Sequence, residues 1–473
     1  MSQAQDRLDK IAKFANSTGF VYQGSGIYGG LANTWDFGPK GVMLRNNIKE
    51  AWRRFFITSR MDMVEVDANI FMNSRVWEAS GHTGNFSDCM VDDKISKHRF
   101  RADHLIEDAI GIDVEGKSPE EITQIIRDNK IKNPITGQEA DWTEARYMNM
   151  MFETNRDKIG NDPNQKIYLR PETAQGIFVN FKNAVQSERA RVPFGIGQIG
   201  KAFRNEITPG NFLYRIVEFE QMEIEYFIAP PKTDEEWNQV FEEWKDLQFE
   251  FFTQVIGIKP ENLKEKEHAQ EKLSHYSKRT VDWEYNYPFG FNELSGLAYR
   301  TDFDLSQHQE HSGKDLSYRD PVTNEVYVPH VMEPTVGVDR LLMATMLDAY
   351  TEEELDGGDS RVVMKFAYDL APFKIAVLPL MKKDGLAEKA LELSQDLRAQ
   401  GISADYDMTG SIGKRYRRQD EVGTPWCATV DYQTMEDGTV TLRHRDTMEQ
   451  VGDGGRVKIE DLGSYLSSKS FQK

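Results

Sequence analysis

The chain lacks the features that mark secreted, membrane-spanning or thiolate-scaffolded proteins. Its 473 residues include two cysteines, Cys89 and Cys427, too few for a disulfide framework or a four-thiolate zinc site. No segment approaches the ~20 apolar residues of a membrane span. The first residues, MSQAQDRLDKIAKF, lack the apolar core of a secretory signal. These absences predict a cytoplasmic protein with no membrane partner.

The chain also lacks positive charge. It has 58 Lys and Arg against 77 Asp and Glu, a net charge of −19, which excludes a general basic coat for nucleic acid. Residues 361–473 carry 17 basic and 17 acidic residues, so the first 360 residues hold the whole imbalance. A polyanion would therefore meet local patches, most readily in the last quarter. A chain of this length predicts two or three domains.

The most informative segment present is the alternating stretch at residues 200–227. Residues two apart on a strand share a face, so Arg204, Phe219 and Glu223 would project from one side of a hairpin. Pro209-Gly210-Asn211 supplies the turn signal. That face offers a planar cation for phosphate, a ring for a base and a carboxylate for an amine. The pattern indicates a nucleotide site.

A second segment, EPTVGVDRLL at residues 333–342, combines a strand, a glycine and a helix. Glu333 and Thr335 share a strand face, and Arg340 falls in the first turn of the helix. An arginine at that end opposes the helix dipole, unless a bound anion such as a triphosphate lies in front of it.

Two shorter segments add further charged candidates. RPETAQ contributes Glu172, and the segment 292–302 contributes Glu293 and Arg300. Taken singly, each motif is equally consistent with a cross-strand ion pair, a core aromatic residue or a solvated surface. Their combination favours a shared site.

Periodicity and turn signals predict the order of the elements. In chain order these are a helix at 40–57, a strand at 62–72, polar helices at 103–130, a strand, YLRPET, leading into AQGIFVNF at 167–181, charged amphipathic helices at 233–280, a strand–glycine turn–strand at 291–305, an acidic linker at 351–361 and alternating strands and helices beyond it. The predicted domains are residues 1–360, with helical insertions near 95–165 and 230–285, and residues 361–473.

These motifs, in this order, resemble the class II aminoacyl-tRNA synthetases. FRNE with its returning strand is similar to the family's second motif, GVDR with its helix to the third, and the helix and strand at 40–72 to the first, a dimer interface. SGHTGNFSD, RPETAQGIFVNF, FEQMEIEYF, ELSGLAYRTDFDL and EPTVGVDR together resemble the dimeric, bacterial-type glycyl-tRNA synthetases, and the match extends to SIGKRYRRQDEVGTP near the C-terminus. The resemblance implies an α/β (α+β) fold, with an antiparallel sheet flanked by helices and a smaller α/β anticodon-binding domain. It also implies glycine, ATP with Mg²⁺ and tRNA(Gly) as partners of a homodimer.

The resemblance also implies residue roles. Arg204 would hold the α-phosphate, Glu206 the adenine amino group, Arg340 the γ-phosphate and Glu293 the Mg²⁺, with Arg204, Glu293 and Arg340 as the catalytic set. The ATP site would comprise Arg204, Asn205, Glu206, Tyr214, Arg215, Ile216, Val217, Glu218, Phe219, Glu293, Leu294, Gly337, Val338, Asp339 and Arg340. The glycine site would comprise Arg101, Glu172, Phe219, Glu220, Gln221, Met222, Glu223, Arg300, Glu333, Pro334, Thr335, Val336 and Gly337.

The chain departs from the family pattern at several positions. Thr335 replaces a usual serine, Val217 replaces a second arginine of the returning strand, and Ser74 replaces a common proline. Many relatives carry a cysteine-rich zinc site near residues 85–100. Cys89 alone cannot rebuild it, and His82, His98 and His104 have no ligand spacing, so we predict no structural zinc.

The basic residues of the C-terminal quarter are candidate RNA contacts. Lys414, Arg415, Arg417 and Arg418 surround Tyr416, and Arg443, His444 and Arg445 form a smaller group. Stacking and hydrogen bonding to single-stranded bases would use such groups. A solvated helix face explains the first cluster equally well.

Three other functions stay open on the sequence. One is a sister synthetase for threonine, proline or serine, although such sites need polar or zinc-based side-chain contacts. Another is a catalytically silent synthetase-like protein that binds nucleic acid or a polymerase partner, which would be expected to lose the phosphate arginines or pocket carboxylates. The third is an adenylate-forming amide ligase, which would not need the C-terminal domain.

Overall fold

The computed structural model describes residues 3–114, 116–155, 166–206, 210–355 and 358–470. A seven-stranded sheet organises the larger, N-terminal part of the chain, and a five-stranded sheet organises the C-terminal part. No helix within these ranges is long and apolar enough to cross a membrane.

The seven-stranded sheet is antiparallel except at one edge. In spatial order its strands are Leu263–Glu267, Arg279–Tyr287, Gly290–Thr301, His330–Gly337, Glu218–Ile228, Phe194–Phe203 and Met63–Glu65. The last pair is parallel. The sheet therefore brings the hairpin of Phe194–Phe203 and Glu218–Ile228, which carries the FRNE motif at 203–206, next to the strand His330–Gly337 of the EPTVGVDR segment.

The register of the central strands places the polar motif residues on one face. Glu223 lies opposite Gln198 on one side and Thr335 on the other, and Thr335 lies opposite Gly296. Alternation sends Met222 and Ile224 to the other face, where they join the largest apolar core. Part of one face of the sheet is thus available for a site, and the rest of that face packs against the helices Ala174–Phe178 and Phe181–Glu188, while the other face packs against the largest apolar core.

Helices cover the apolar face and fill the connections. In the N-terminal part they are Gln3–Thr18, Pro39–Trp52, Ser74–Ala79, His82–Asn85, Ala102–Ile110, Pro119–Asp128, Ala174–Phe178, Phe181–Glu188, Asp234–Glu250, Phe303–Ser312 and Val338–Ala349. Single π-helical turns, Arg53–Thr58 and Phe251–Ile256, follow two of them. Short 3₁₀ turns span Gly26–Tyr28, Pro260–Asn262 and Gln270–Lys272.

Short strands outside the central sheet form hairpins and one small sheet. They are Val21–Gln23, Trp35–Phe37, Ser87–Asp92, Arg99–Arg101, Arg146–Asn149, Glu153–Asn155, Lys166–Tyr168, Tyr318–Arg319, Val326–Tyr327, Tyr350–Glu354 and Ser360–Met364. The strands at 87–92, 99–101 and 146–149 pair as a three-stranded antiparallel sheet with its own apolar core.

A buried carboxylate fixes two turns of this small subdomain. Asp93 is 2% exposed, and it accepts hydrogen bonds from Ser96 Oγ at 2.7 Å, Asn133 Nδ2 at 2.8 Å, and the backbone N–H groups of Ile95 and Asp141 at 3.0 and 3.2 Å. Four donors on one buried acid compensate for its desolvation and hold its pKa below the ordinary value.

The C-terminal part is a mixed sheet with helices. Its strands, in spatial order, are Ala404–Tyr406, Ile375–Pro379, Trp426–Val430, Thr439–His444 and Gln450–Lys458, the first three parallel and the last two antiparallel to their neighbours. The helices are Leu386–Ala399, Ile412–Val422, Tyr432–Asp437 and Leu462–Ser467, with a 3₁₀ turn at Ile459–Asp461.

Buried ion pairs tie this part to the preceding hairpin. Arg361 Nη1 lies 2.9 Å from Asp420 Oδ2, and Arg443 Nη1 lies 2.9 Å from Asp420 Oδ1. The strand Ser360–Met364 is thereby joined to the helix Ile412–Val422.

Several predicted elements differ from the structure. The predicted strand–turn–strand at 291–305 is wrong, because Gly290–Thr301 is one continuous strand with Gly296 inside it. The predicted linker at 351–361 contains the paired strands Tyr350–Glu354 and Ser360–Met364, with residues 356–357 outside the described ranges. The stretch at 233–280 is a regular helix only at Asp234–Glu250, followed by a π-helical turn; its later part contains two 3₁₀ turns, the strand Leu263–Glu267 and the start of the strand Arg279–Tyr287.

Two further predictions hold only in part. The predicted strand at 62–72 is regular only at Met63–Glu65, and the predicted helix at 40–57 is α-helical at Pro39–Trp52 before its π-helical turn. Pro209 of the predicted hairpin turn lies outside the described residues.

Candidate active site

A cleft of about 310 Å³ lies on the polar face of the central sheet. Most of the site residues predicted from sequence line it: Glu172, Arg204, Glu206, Tyr214, Arg215, Ile216, Phe219, Gln221, Glu223, Glu293, Leu294, Glu333, Thr335, Val336, Gly337, Asp339 and Arg340. Segments far apart in the chain therefore meet at a single hollow.

One end of the cleft carries arginines. The Arg204 guanidinium lies between the rings of Phe86 and Phe219, 5.4 and 5.3 Å from their centroids, and its Nε donates to the carbonyl of Pro171 at 3.0 Å. Arg215 lies 3.9 Å from Glu206. Stacking and the Nε bond orient the Arg204 fork, which suits bidentate recognition of a phosphate.

Arg340 is held just as firmly at the start of the helix Val338–Ala349. Its Nε donates to the Tyr214 carbonyl at 3.1 Å, its guanidinium lies 4.3 Å from the Tyr214 ring centroid, and its Nη1 lies 3.2 Å from Glu293 Oε1. The charge of Arg340 lowers the pKa of Glu293. The Glu293 side chain is 49% exposed, so this carboxylate stays ionised at the mouth of the cleft.

The other end of the cleft is acidic and more enclosed. Glu172 is 9% exposed, with Oε2 3.3 Å from His82 Nε2 and Oε1 accepting from Gln175 Nε2 at 3.0 Å. Burial works to raise the pKa of Glu172, but His82 and Arg300 outweigh it and hold the pKa below its ordinary value. Glu223 accepts a short hydrogen bond from Thr173 Oγ1, and burial together with Glu172 raises its pKa.

A buried ion pair supports this acidic end. Arg300 is 1% exposed; it donates to Glu333 Oε1 at 2.8 Å and to both oxygens of Asp304 at 2.7 and 2.8 Å. The ring of Tyr276 covers its guanidinium at 3.8 Å. Burial and the neighbouring Glu223 raise the pKa of Glu333 to about 8, despite the contact with Arg300.

Two buried polar atoms in the lining have no hydrogen-bond partner among the described residues. They are Thr335 Oγ1 and Gln221 Oε1. Unsatisfied buried polar atoms are costly and rare in native proteins. Oxygen acceptors left open beside carboxylates can receive a hydrogen-bond donor such as an ammonium group.

The remaining predicted site residues lie outside the cleft lining: Arg101, Asn205, Val217, Glu218, Glu220, Met222, Arg300, Pro334 and Val338. Arg101 pairs with Asp103 at 2.6 Å and Asp88 at 3.3 Å in the small subdomain. Glu220 pairs with Lys49 at 3.1 Å, beside the helix Pro39–Trp52. Met222 and Val338 are fully buried in the apolar core.

Sequence reasoning missed several groups that complete the site. His268, Ser274, Tyr276 and Thr280 come from the stretch interpreted as helical, and His82 was interpreted as an ordinary histidine. Glu172 and its imidazole partner His82 are 90 residues apart in the chain, so no local sequence pattern indicates that they pair.

The predicted basic RNA patch is largely internal. Arg415, Arg443 and Arg445 are 2%, 9% and 4% exposed, and they bond to Pro379, Asp420 and the Phe366 and Gly423 carbonyls, respectively. Their assignment as RNA contacts is wrong, because buried guanidiniums cannot reach a nucleic acid. Lys414 is exposed, and the Arg417 and Arg418 side chains are 33% and 42% exposed.

Family models match two segments of the chain. Residues 152–350 match the tRNA synthetase class II core domain (G, H, P, S and T), and residues 374–469 match the anticodon binding domain. The predicted fold class is thereby confirmed.

Curated relatives match nearly the whole chain. It is 53% identical over 468 residues to the glycine–tRNA ligase of Clostridium acetobutylicum, with 98% of each chain covered. The chain belongs to the glycine–tRNA ligase family. The family's proteins from Clostridium kluyveri and Caldanaerobacter subterraneus subsp. tengcongensis are 52% and 50% identical, each with 98% coverage of both chains.

Membership of this family makes the protein an aminoacyl-tRNA synthetase of class II, a ligase. The prediction of the enzyme class is confirmed. The silent, nucleic-acid-binding alternative and the amide ligase alternative both lose their support, because arginines, carboxylates and the anticodon-binding segment are all present.

Proposed function

We propose that the cleft catalyses ATP-dependent activation of glycine to glycyl-adenylate and its transfer to tRNA(Gly). The observation that carries this proposal is that one cleft has arginines at one end and enclosed carboxylates at the other. Such a cleft suits a substrate pair in which one partner brings phosphates and the other an ammonium group.

In the proposed first step, a carboxylate oxygen of glycine attacks the α-phosphorus of ATP and pyrophosphate leaves. Arg204 and Arg340, fixed by stacking and by carbonyl contacts, would stabilise the charge that develops on the phosphates without reorganising. In the second step, the terminal tRNA hydroxyl attacks the adenylate carbonyl and AMP leaves.

Mg²⁺ fits the phosphate end of the cleft. This ion is usually held by one or two carboxylates together with substrate phosphates, and the half-exposed, ionised carboxylate of Glu293 offers such a ligand beside Arg340. When bound, the ion would neutralise phosphate charge.

We also propose that the protein holds no structural zinc. Within the described ranges, the acidic group whose ligand atoms lie close enough for a metal is Glu223, Glu225 and Glu333, which is not a thiolate or histidine set.

Glycine itself is supported by the acidic end. Glu172, Glu223, Glu333 and the open Thr335 hydroxyl would surround the ammonium group of the amino acid. A missing methyl group is worth only about 1–3 kcal/mol in a roomy pocket, so alanine must be rejected by crowding at the α-carbon.

We further propose that residues 361–473 form the anticodon-binding domain and residues 1–360 the catalytic core. The anticodon-domain match within 374–469 supports the first assignment. Phe366, Leu370 and Ala371 pack into the catalytic core cluster. A truncation that leaves the core intact should therefore follow Pro372.

A homodimer of the bacterial type, working in the cytoplasm, completes the proposal. Large apolar side chains are exposed within the region that resembles the first synthetase motif and shortly before it: Met61 at 103% lies within it, and Ile27 at 91%, Tyr28 at 86% and Leu31 at 63% precede it. Exposed apolar groups in such number favour a covered surface. Light scattering coupled to gel filtration should give twice the mass of 54.4 kDa.

ATP–pyrophosphate exchange tests the activation step. We expect exchange with glycine to be at least about 100-fold faster than exchange with alanine or serine at equal concentration. The binding free energy of one methyl group supplies at most about that factor of discrimination, so crowding at the α-carbon must add to it. Equal exchange with threonine, proline or serine would assign a sister specificity. Exchange with glycine but no charging of tRNA would leave an adenylate-forming ligase of another kind.

A further inference from the structure

A carboxyl group that belongs to none of the predicted site residues lies beneath the acidic end of the cleft. Glu225 is two residues beyond Glu223 on the same strand, so the two side chains share the polar face of the sheet. It is 0% exposed, and neither Oε1 nor Oε2 has a hydrogen-bond partner among the described residues. An ionised carboxylate in that condition carries a large desolvation penalty with nothing to offset it.

The charged surroundings of Glu225 are mostly negative. Glu223, Glu333 and Asp304 face it, and Arg300 is the facing cation. Arg300 already donates to Asp304 and Glu333, so its positive charge is shared. Carboxylate oxygens of Glu223, Glu225 and Glu333 lie within 4.8 Å of one another.

Carboxyl groups this close cannot all be ionised in a buried site. Glu333 has the Arg300 guanidinium and Glu223 has the Thr173 hydroxyl, whereas Glu225 has neither a cation nor a hydrogen-bond donor among the described residues and therefore keeps a proton. Burial and Glu333 raise the pKa of Glu225 well above its ordinary value, in agreement with the geometry. A protonated carboxyl has one O–H donor, and the nearby Glu333 supplies an acceptor.

We propose that Glu225 is a positioning residue that stays protonated and, when an ammonium group binds and Glu333 ionises, donates its hydroxyl to the carboxylate of Glu333. Arg300 holds Oε1 of Glu333 from the other side. The two donors together fix the carboxylate so that its remaining lone pairs face the ammonium group of the amino acid. This inference rests on the proposed glycine site, and it assigns Glu225 a function in amino-acid affinity without direct contact with the substrate.

Two substitutions of similar size separate the possible functions of Glu225. Glu225→Gln keeps a donor and removes the ability to ionise, whereas Glu225→Met keeps the volume and removes the donor. We expect the glycine KM of Glu225→Gln to stay within about threefold of the unmodified protein and that of Glu225→Met to rise about tenfold or more, since a charge-assisted hydrogen bond is lost. The ATP KM should change little in either.

Other outcomes overturn the inference in identifiable ways. If both variants lose glycine affinity equally, Glu225 acts as an anion. If both retain it, the side chain only fills space. Glu243→Gln and Glu243→Met, at an exposed position of the helix Asp234–Glu250, are the matched controls and should leave both KM values unchanged.

A spectroscopic measurement keeps the proposal testable if Glu225→Met does not fold. The infrared spectrum of the unmodified protein at neutral pH should contain the carbonyl band of a buried carboxylic acid, and the difference spectrum against Glu225→Gln should show its loss. A difference spectrum without that band refutes the protonated state. This readout does not depend on turnover, so absence of glycine activation would reject the proposed function while the band still decides the protonation of Glu225.

Discussion

Replacing Glu172 by glutamine provides a sharp test of the acidic end of the cleft. The substitution keeps size and shape but removes one negative charge from a side chain that is 9% exposed and bonded to Gln175. A buried hydrogen bond to a charged group is worth about 1.5–3 kcal/mol. Loss of the hydrogen bond between the Glu172 carboxylate and the ammonium group of glycine would therefore raise the dissociation constant for glycine about 10- to 150-fold, at 1.4 kcal/mol per factor of ten.

The assay is ATP–pyrophosphate exchange with glycine varied at saturating ATP, and then the reverse. Because KM equals a dissociation constant only when chemistry is slow, calorimetric titration with glycine should accompany the kinetics. The Arg340–Glu293 pair belongs to the other end of the cleft, so the ATP KM should stay within about threefold of its starting value. A raised ATP KM with an unchanged glycine KM would contradict the assignment of the two ends.

Three further outcomes are expected. Arg204→Ala should abolish pyrophosphate exchange with little change in Tm, because the side chain is half-buried and its contacts are a hydrogen bond to the Pro171 carbonyl and the rings of Phe86 and Phe219; near-normal exchange would refute its role. Without a ligand, Glu333 holds a proton below pH about 8, whereas a bound ammonium ion favours its ionised form. Glycine affinity should therefore increase as pH rises toward about 8. The accompanying proton release should be detectable by calorimetry in buffers of different ionisation enthalpy. Asp93→Ala should destabilise the small subdomain by about 3 kcal/mol or more, because four hydrogen bonds to a buried carboxylate are lost. The loss should appear as faster hydrogen exchange confined to residues 87–149. Exchange rates there that match those of the unmodified protein would show that the four hydrogen bonds contribute little.

The sequence predicted which residues meet in one cleft better than it predicted the elements around them. Period-two alternation in the strand Glu218–Ile228 was strong enough to place Phe219 and Glu223 on one face, and the register of the sheet sets Glu223 opposite Thr335. Gly296 was interpreted as a turn because glycine usually marks one. In the structure it lies inside a strand opposite Thr335, where the missing side chain leaves the cleft floor open.

The errors share a physical cause, which is that burial and pairing are decided by distant contacts. Arg415, Arg443 and Arg445 have the composition of an RNA patch, but each is neutralised or bonded inside the fold by groups far away in the chain. Arg101 pairs with Asp88 and Asp103 within the small subdomain and does not line the cleft. No local pattern distinguishes a buried guanidinium from an exposed one.

One strand links the two halves of the cleft, and this has a consequence for how the reaction geometry is maintained. Phe219 at the phosphate end and Glu223 at the acidic end are four residues apart on the strand Glu218–Ile228. Four residues of extended chain span about 13 Å. Neighbouring strands bond this strand on both sides, so the sheet fixes that separation. In the proposed reaction the sheet would hold the amino acid and the nucleotide at a constant spacing, and substitutions at the amino-acid end could change recognition there without moving the nucleotide.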